Sequence, residues 1–395
     1  MNTLQLNIDN TLPQDWQRAT LVGRVWLPGP LAGPAVVVIR DGEVIDCTAH
    51  FPTLSLLLDR EHPLQAVRDI RGTSLGPVEA LLANSGEQRD DTAPYLLAPA
   101  DLQVIKAAGV TFAASMIERV IEEKAGGDAL RAEEVRGLVQ AVIGDNLRDL
   151  KPGSPEAMRL KQVLIEQNMW SQYLEVGIGP DAEIFTKAPI LAAVGTGNAI
   201  GIHPGSSWNN PEPEVVLAVN SRGQIHGATL GNDVNLRDVE GRSALLLGKA
   251  KDNNASCALG PFIRLFDEHF SLDDVRHCEV TLRVEGQDGY VLNGQSKMNQ
   301  ISRDPADLAG QTLNANHQYP DGFVLFLGTL FAPTDDRDQP GQGFNHKEGD
   351  VVSIASPLLG ALQNRVTGSH QAPAWTFGVS ALMLNLARRG LLGAA

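Results

Sequence analysis

Pro211-Glu212-Pro213-Glu214-Val215-Val216-Leu217-Ala218-Val219 reads as a β-strand, rich in valine and bounded by turn residues. Side chains alternate along a strand, so Glu212 and Glu214 project from one face. Two carboxylates on one face repel each other and are costly to bury unless a cation or a shared proton lies between them. Pro211 and Pro213 lack N–H donors, which predicts an edge or a bulge at this end of the strand. Asn220-Ser221-Arg222-Gly223 then turns the chain into a second apolar run from Ile225 to Leu230. A hairpin about that turn sets Glu212 opposite roughly Gly231 and brings Asp233 within a residue or two. Three carboxylates from adjacent strands suit a hard cation, Mg²⁺ or Ca²⁺ with Mn²⁺ as a substitute, better than zinc. Taken alone, Glu-x-Glu is equally the solvent face of an edge strand; the flanking text decides between the two.

Working outward, Asn232-Asp233-Val234-Asn235-Leu236-Arg237-Asp238 follows directly, and Lys251 stands shortly before Leu259-Gly260-Pro261. This ordered set resembles the fumarylacetoacetate hydrolase superfamily. The likeness runs from about Gly109 to about Arg365, through Gly109-Val110-Thr111-Phe112, Glu183-Ile184-Phe185-Thr186-Lys187 and Gly349-Asp350-Val351-Val352-Ser353-Ile354. Glu183-Ile184-Phe185 before a lysine, Ser206-Ser207-Trp208 ahead of the Glu-x-Glu strand, and Lys251 before Cys257-Ala258-Leu259-Gly260-Pro261 are most similar to the 2-keto-3-deoxy-pentonate dehydratases within it. The resemblance implies an α+β chain: a mixed β-roll with flanking helices over 96–395, preceded by a smaller β-rich domain over 1–95. It further implies a homodimer or homotetramer acting on a small-molecule 2-keto acid. The implied reaction is loss of water from 2-keto-3-deoxy-D-xylonate or arabinonate, giving 2-oxoglutarate semialdehyde.

The chemistry can be argued beside the resemblance. A 2-keto acid offers a carboxylate and a carbonyl oxygen to a divalent ion, and a Lewis acid there stabilises the enolate left when a C3 proton departs. One base and one acid are then needed, and Lys251 and Glu183 are the natural pair. Burial near a metal lowers a lysine pKa, making Lys251 a credible base; Glu183 would hold water or donate to the departing hydroxide. Lys251 is preferred to Lys249 because its distance to Gly260-Pro261 matches the family. Lys187 or Arg119 would grip the substrate carboxylate, although Arg119 could form a plain salt bridge and Glu183 could pair with Lys187. Ser356 occupies the place of a family hydroxyl that contacts substrate, and Arg237 and Asp238 would brace the metal strand. Two other functions fit the same carboxylates. One is hydrolysis of acylpyruvate or diketo-acid C–C bonds, against which counts the lack of histidine in 109–124; the other is a non-catalytic Ca²⁺-binding module.

Composition narrows the classes. The chain has 395 residues, 43% hydrophobic and 20% charged, an ordinary globular balance. A net charge of −15 argues against nucleic acid, whose phosphates demand a basic face. Cys47, Cys257 and Cys278 form neither a disulfide framework nor a zinc spacing, and no stretch is apolar enough to span a membrane. With no basic and apolar leader pattern, the expected location is the cytoplasm. Asp41-Gly42 predicts a hairpin turn within 35–46, helices are expected over 113–124, 131–143, 155–167 and 379–389, and strands over 19–26, 280–284, 323–327 and 351–354.

Overall fold

The computed structural model describes residues 3–143, 150–166, 168, 170–330, 333–339 and 343–393. Its strands are β1 (Leu21–Leu27), β2 (Gly33–Arg40), β3 (Glu43–Asp46), β4 (Thr73–Pro77), β5 (Tyr95–Leu97), β6 (Val104–Gly109), β7 (Glu183–Ala188), β8 (Ala199–Ile202) and β9 (Asn209–Asn210). Then follow β10 (Pro213–Val219), β11 (Ile225–Asp233), β12 (Asn235–Leu236), β13 (Cys257–Leu265), β14 (Glu279–Glu285), β15 (Val291–Lys297), β16 (Phe323–Phe326), β17 (Val351–Ser356) and β18 (Gly360–Gly368). The large sheet runs β4-β3-β2-β1-β13-β11-β10-β16-β6-β7, with β5 also on β1, and the smaller runs β15-β14-β17-β18-β8. Parallel β16–β6 and β18–β8 pairs among antiparallel neighbours make both sheets mixed, and helices flank them: a mixed α+β fold.

The two sheets bury Val215, Leu217, Val219 and Leu230 against Val280, Leu282, Val284, Ile354 and Leu362 in one core. β14 shows the cause plainly: Val280, Leu282 and Val284 point inward while Thr281, Arg283 and Glu285 point out. A second apolar cluster joins the helix Ala113–Ala125 to the helices Pro155–Glu166 and Gln172–Ile178 through Met116, Val120, Ile121, Leu164, Tyr173 and Leu174. Gly126, left-handed at φ 68°, closes the first of these as the Gly126-Gly127 pair predicts. The predicted helix at 155–167 ends at Glu166; Gln167 lies outside the described residues. The helix Gln172–Ile178 carries no strong sequence signal, and only its packing reveals it.

Two strand expectations need correction. The proline-bounded strand is not an edge: β10 lies between β11 and β16, entirely buried, with Pro213 as its first residue, where a missing donor does least harm. The hairpin register is also displaced by two. Glu214, not Glu212, stands opposite Gly231, because the turn takes in Gln224 and His226 bulges out between Ala218 and Val219. Gly231 is required there, since a Cβ would come 2.2 Å from the Phe326 ring. Asp233 donates its N–H to the Glu212 carbonyl at 3.1 Å, so the two acids still meet. The Asp41-Gly42 turn forms as expected, with φ of 50° and 81°. The lead strands do not stand apart as a sheet of their own: β1 pairs β13 at Leu21–Arg264 and Val22–Ile263, so hydrogen bonds cross the 1–95 boundary.

Candidate metal centre

Carboxylate oxygens of Glu212, Glu214 and Asp233 all lie within 4.8 Å of one another, and all three residues are buried. Glu212 is fixed by the end of β9–β10, Glu214 by β10 and Asp233 by the end of β11. The N–H of Gly328, just past β16, donates to Glu214 Oε2 at 2.7 Å. Burial first, and then the charges of Asp233 and Glu212, push the Glu214 carboxyl well above its usual range. Burial acts on Asp233 the same way, but Lys187 and Lys251 outweigh it and hold that carboxyl below its ordinary value.

Lys251 ends the short helix Leu247–Lys251, and its ammonium donates to Glu212 Oε2 at 2.5 Å and Asp233 Oδ2 at 3.0 Å. Lys249, two positions earlier, faces solvent. The Lys251 carbonyl is pinned by Ser256 Oγ at 2.8 Å and by the Lys187 ammonium. Burial pushes the Lys251 pKa down, yet Asp233, Glu212 and Glu240, with no cation among them, together push it well above the ordinary lysine value; the expectation from sequence was for a lysine beside a metal ion.

Lys187 is fully buried and lies 2.9 Å from Asp233 Oδ1 and 3.1 Å from the Val234 carbonyl. It therefore holds Asp233 and the Lys251 turn in place, and its partners are these rather than Glu183. Glu183 starts β7 with its carboxylate against Gly109, where a Cβ would come 2.0 Å from Oε2. Burial raises the Glu183 pKa; Arg119 and Lys251 oppose the rise, while Glu212 and Asp233 add to it.

Arg119, on the helix Ala113–Ala125, donates to Glu212 Oε1 and to Glu122 Oε2 at 2.7 Å, and lies 3.1 Å from Glu240 Oε2. It forms the buried salt bridge left open from sequence, with a metal-side carboxylate as one partner. Arg237 contacts Glu122 at 2.7 Å and Glu118 at 3.1 Å, and sits 4.3 Å over the Trp208 ring. Asp238 accepts from Ser206 Oγ at 2.7 Å and from the Ser207 N–H at 3.0 Å, tying down the segment before β9. Ser356 is not brought to the cluster: its hydroxyl meets Cys278 Sγ at 3.0 Å and the Leu358 N–H at 3.3 Å. It stands at the end of β17, beside buried Cys278.

Sequence reasoning missed Glu118, Glu122 and Glu240. The first two were visible as a polar ridge, Glu118-Arg119 and Glu122, on a helix whose other face is apolar; Glu240 had no such signal. Burial, opposed by Arg119 and Lys251, raises the Glu240 carboxyl to about 7. Counting Glu183, seven carboxylates among the described residues face five cationic side chains in this buried network. With buried oxygen-only donors converging from three side chains, Glu212, Glu214 and Asp233 fit Mg²⁺ or a similar hard cation.

Residues 179–367 match the profile of the fumarylacetoacetate hydrolase C-terminal family. This match takes in just under half of the chain. The chain is 31% identical over 202 residues to a probable 2-keto-3-deoxyxylonate dehydratase of Haloferax volcanii, covering 51% of this chain and 66% of that one. It is 33% identical over 180 residues to a 2-dehydro-3-deoxy-D-arabinonate dehydratase of Saccharolobus solfataricus, covering 46% and 57%. The matched stretch thus spans less than two thirds of either relative. The fold matches that of a 2-keto-3-deoxy-D-arabinonate dehydratase solved with magnesium and 2,5-dioxopentanoate, at TM-score 0.61 and 21% identity over 88% of this chain and 99% of that one. The cysteines are free and buried, and among the described residues no helix is long and apolar enough to cross a membrane.

Proposed function

We propose that this chain is a Mg²⁺-dependent dehydratase of 2-keto-3-deoxy-D-pentonates, acting on the xylonate or arabinonate form in cytoplasmic pentose catabolism. The observation that carries the reading is the buried Glu212, Glu214 and Asp233 triad with Lys251 in contact and Glu183 beside it. The named activities of the two curated relatives support the substrate class. A divalent ion held by the triad would supply Lewis acidity and a place for the keto acid's carboxylate and carbonyl oxygens.

The remaining work falls to this chain's own side chains. Glu183 has a raised proton affinity and Lys251 is held charged, so as the structure stands Glu183 suits removal of the C3 proton and Lys251 donation to the C4 hydroxyl. Water leaves from C3 and C4, and transfer of one proton from C5 and one from its hydroxyl back to C3 and C4 then gives 2-oxoglutarate semialdehyde. The Lys251 ammonium, placed among the carboxylates, also offsets negative charge developing on the substrate. Lys187 and Arg119 position Asp233 and Glu212. In this reading neither grips the substrate.

A C–C hydrolase would need a base to activate water, and no histidine stands among the described residues of the helix Ala113–Ala125. A structural Ca²⁺ module gives no reason to bury Lys251 against two ligands. Assembly as a homodimer or homotetramer belongs to the same proposal; exposed Trp375, Met383 and Leu384 are apolar surface of the kind assembly covers. The test is proton NMR in D₂O with 2-keto-3-deoxy-D-xylonate and Mg²⁺ against an EDTA control. An aldehyde signal that needs metal is expected. Deuterium entering C3 without aldehyde would reject this leaving group, and no change would reject the substrate class.

A further inference from the structure

We infer that Glu122 and Arg237 form a positioning unit for the candidate ligand Glu212, acting through Arg119; the inference rests on the metal reading above. Three carboxylates surround the Arg119 guanidinium: Glu122 at 2.7 Å, Glu240 at 3.1 Å, and Glu212, whose Oε1 accepts from Nη2. An arginine so placed has a choice of partners, and its pull on Glu212 depends on how firmly the others hold it. Glu122 settles the choice. Its Oε2 takes Arg119, and its Oε1 takes Arg237 Nε at 2.7 Å, so the carboxylate is clamped from both sides. Arg237 is itself immobilised by the Pro333 carbonyl at 3.1 Å, by Glu118 at 3.1 Å and by the Trp208 ring beneath it.

Side-chain exposure along this path is 1% for Arg237, 1% for Glu122, 8% for Arg119 and 3% for Glu212, so water cannot replace a lost partner. Pairs at 3 Å in such surroundings are strong and directional, and a planar guanidinium transmits orientation as well as charge. The arrangement gives Glu212 Oε1 one bond from Arg119 in a fixed direction. The second oxygen accepts from Lys251, and Glu212 keeps a carboxylate oxygen within 4.8 Å of one each from Glu214 and Asp233. The Glu122 charge also draws Arg119 off Glu212. Without it, the guanidinium would settle more fully on the ligand carboxylate and compete with a divalent ion for it.

An alternative is that these ion pairs merely fasten the helix Ala113–Ala125 to the sheet. The two roles separate at the outer end of the network. Arg136, on the helix Ala129–Ile143, holds Glu118 from a side chain 29% exposed, where water can take over the pairing, and it lies two ion pairs from Arg237, through Glu118. Loss of Arg136 should loosen the packing of this helix on Ala113–Ala125 without reaching Glu212.

The experiment is calorimetric titration of the purified full chain with MgCl₂, together with the EPR spectrum of bound Mn²⁺. Glu122→Gln keeps the volume and removes the charge; its Mg²⁺ Kd should rise about 10–100-fold, with a changed Mn²⁺ spectrum. Arg136→Met should lower Tm yet leave the Mg²⁺ Kd within about twofold of wild type. Arg119→Lys, which keeps the charge but cannot span Glu122 and Glu212 at once, should weaken Mg²⁺ as Glu122→Gln does, and stands in if that variant does not fold. Wild-type Mg²⁺ affinity in Glu122→Gln or Arg119→Lys, or equal weakening in Arg136→Met, would overturn the positioning role alone. Failure of the wild-type protein to bind Mg²⁺ or Mn²⁺ would instead overturn the metal reading on which it rests.

Discussion

Replacing Lys187 by methionine should cost the protein stability out of proportion to the small change in shape. The ammonium is fully buried, lies 2.9 Å from Asp233 Oδ1, and donates to the backbone carbonyls of Val234 and, more closely, Lys251. Methionine fills the stem's volume but supplies no donor. Asp233 keeps Lys251 as a cationic partner, which limits the loss, while two buried carbonyls lose a donor each. Breaking one side of a buried ion pair costs about 3–5 kcal/mol. For a chain of this length each kcal/mol moves Tm by roughly 2 °C or less, so the metal-free variant should melt roughly 5–10 °C lower. The freed Asp233 charge is then better matched to a divalent ion, so MgCl₂ should raise the Tm of Lys187→Met by more than it raises that of wild type. Differential scanning calorimetry with EDTA and with Mg²⁺ reads both effects. A metal-free Tm within about 2 °C of wild type, or a smaller Mg²⁺ response, would refute the reasoning.

Other perturbations separate stability from function. Glu214→Gln removes a buried carboxyl raised by its neighbours, so melting in EDTA should rise while the Mg²⁺-induced shift disappears; a preserved shift would take Glu214 out of the ligand set. Gly109→Ala drives a methyl into Glu183 Oε2, and kcat should fall about 100-fold with Tm changed little, because small misplacements of a proton-transfer group are costly. Buried His346 has its pKa lowered, first by burial and then by Arg337, against the pull of Asp350. The unfolded chain therefore takes up that proton first. Stability should be full above the ordinary histidine value near 6.5 and decline as pH falls below it, by at most about 1.4 kcal/mol per pH unit. Urea unfolding between pH 7.5 and 5 should show the slope in wild type and less of it in His346→Gln; identical slopes would remove His346 as the source.

What could be read from the chain was whatever is decided locally. The buried run Val215–Val219, the Asp41-Gly42 turn and the glycine that stops the helix Ala113–Ala125 are each set by neighbours in sequence, and each forms where expected. Register failed because the turn takes in Gln224 and His226 bulges, and neither residue carries a signature of its own. Edge placement failed because Pro213 could occupy the first position of a central strand. In the site, residue types and order pointed to the three carboxylates and to Lys251, but not to what each touches. Lys251 meets Glu212 across 39 positions, and Arg119 meets Glu212 across 93. Those long-range contacts hold the Lys251 pKa up and tie Arg119 to Glu212. Ser356 shows the limit of motif position as a guide: its partner is Cys278, 78 positions away, in a different part of the core.

The most direct measurement is anomalous scattering from a crystal of the full chain grown with Mn²⁺. One strong peak bounded by carboxylate oxygens of Glu212, Glu214 and Asp233, with Lys251 Nζ and Glu183 nearby, is the expected result. A crystal with Mn²⁺ elsewhere and these three carboxylates joined only by Lys251 and Lys187 would contradict the account.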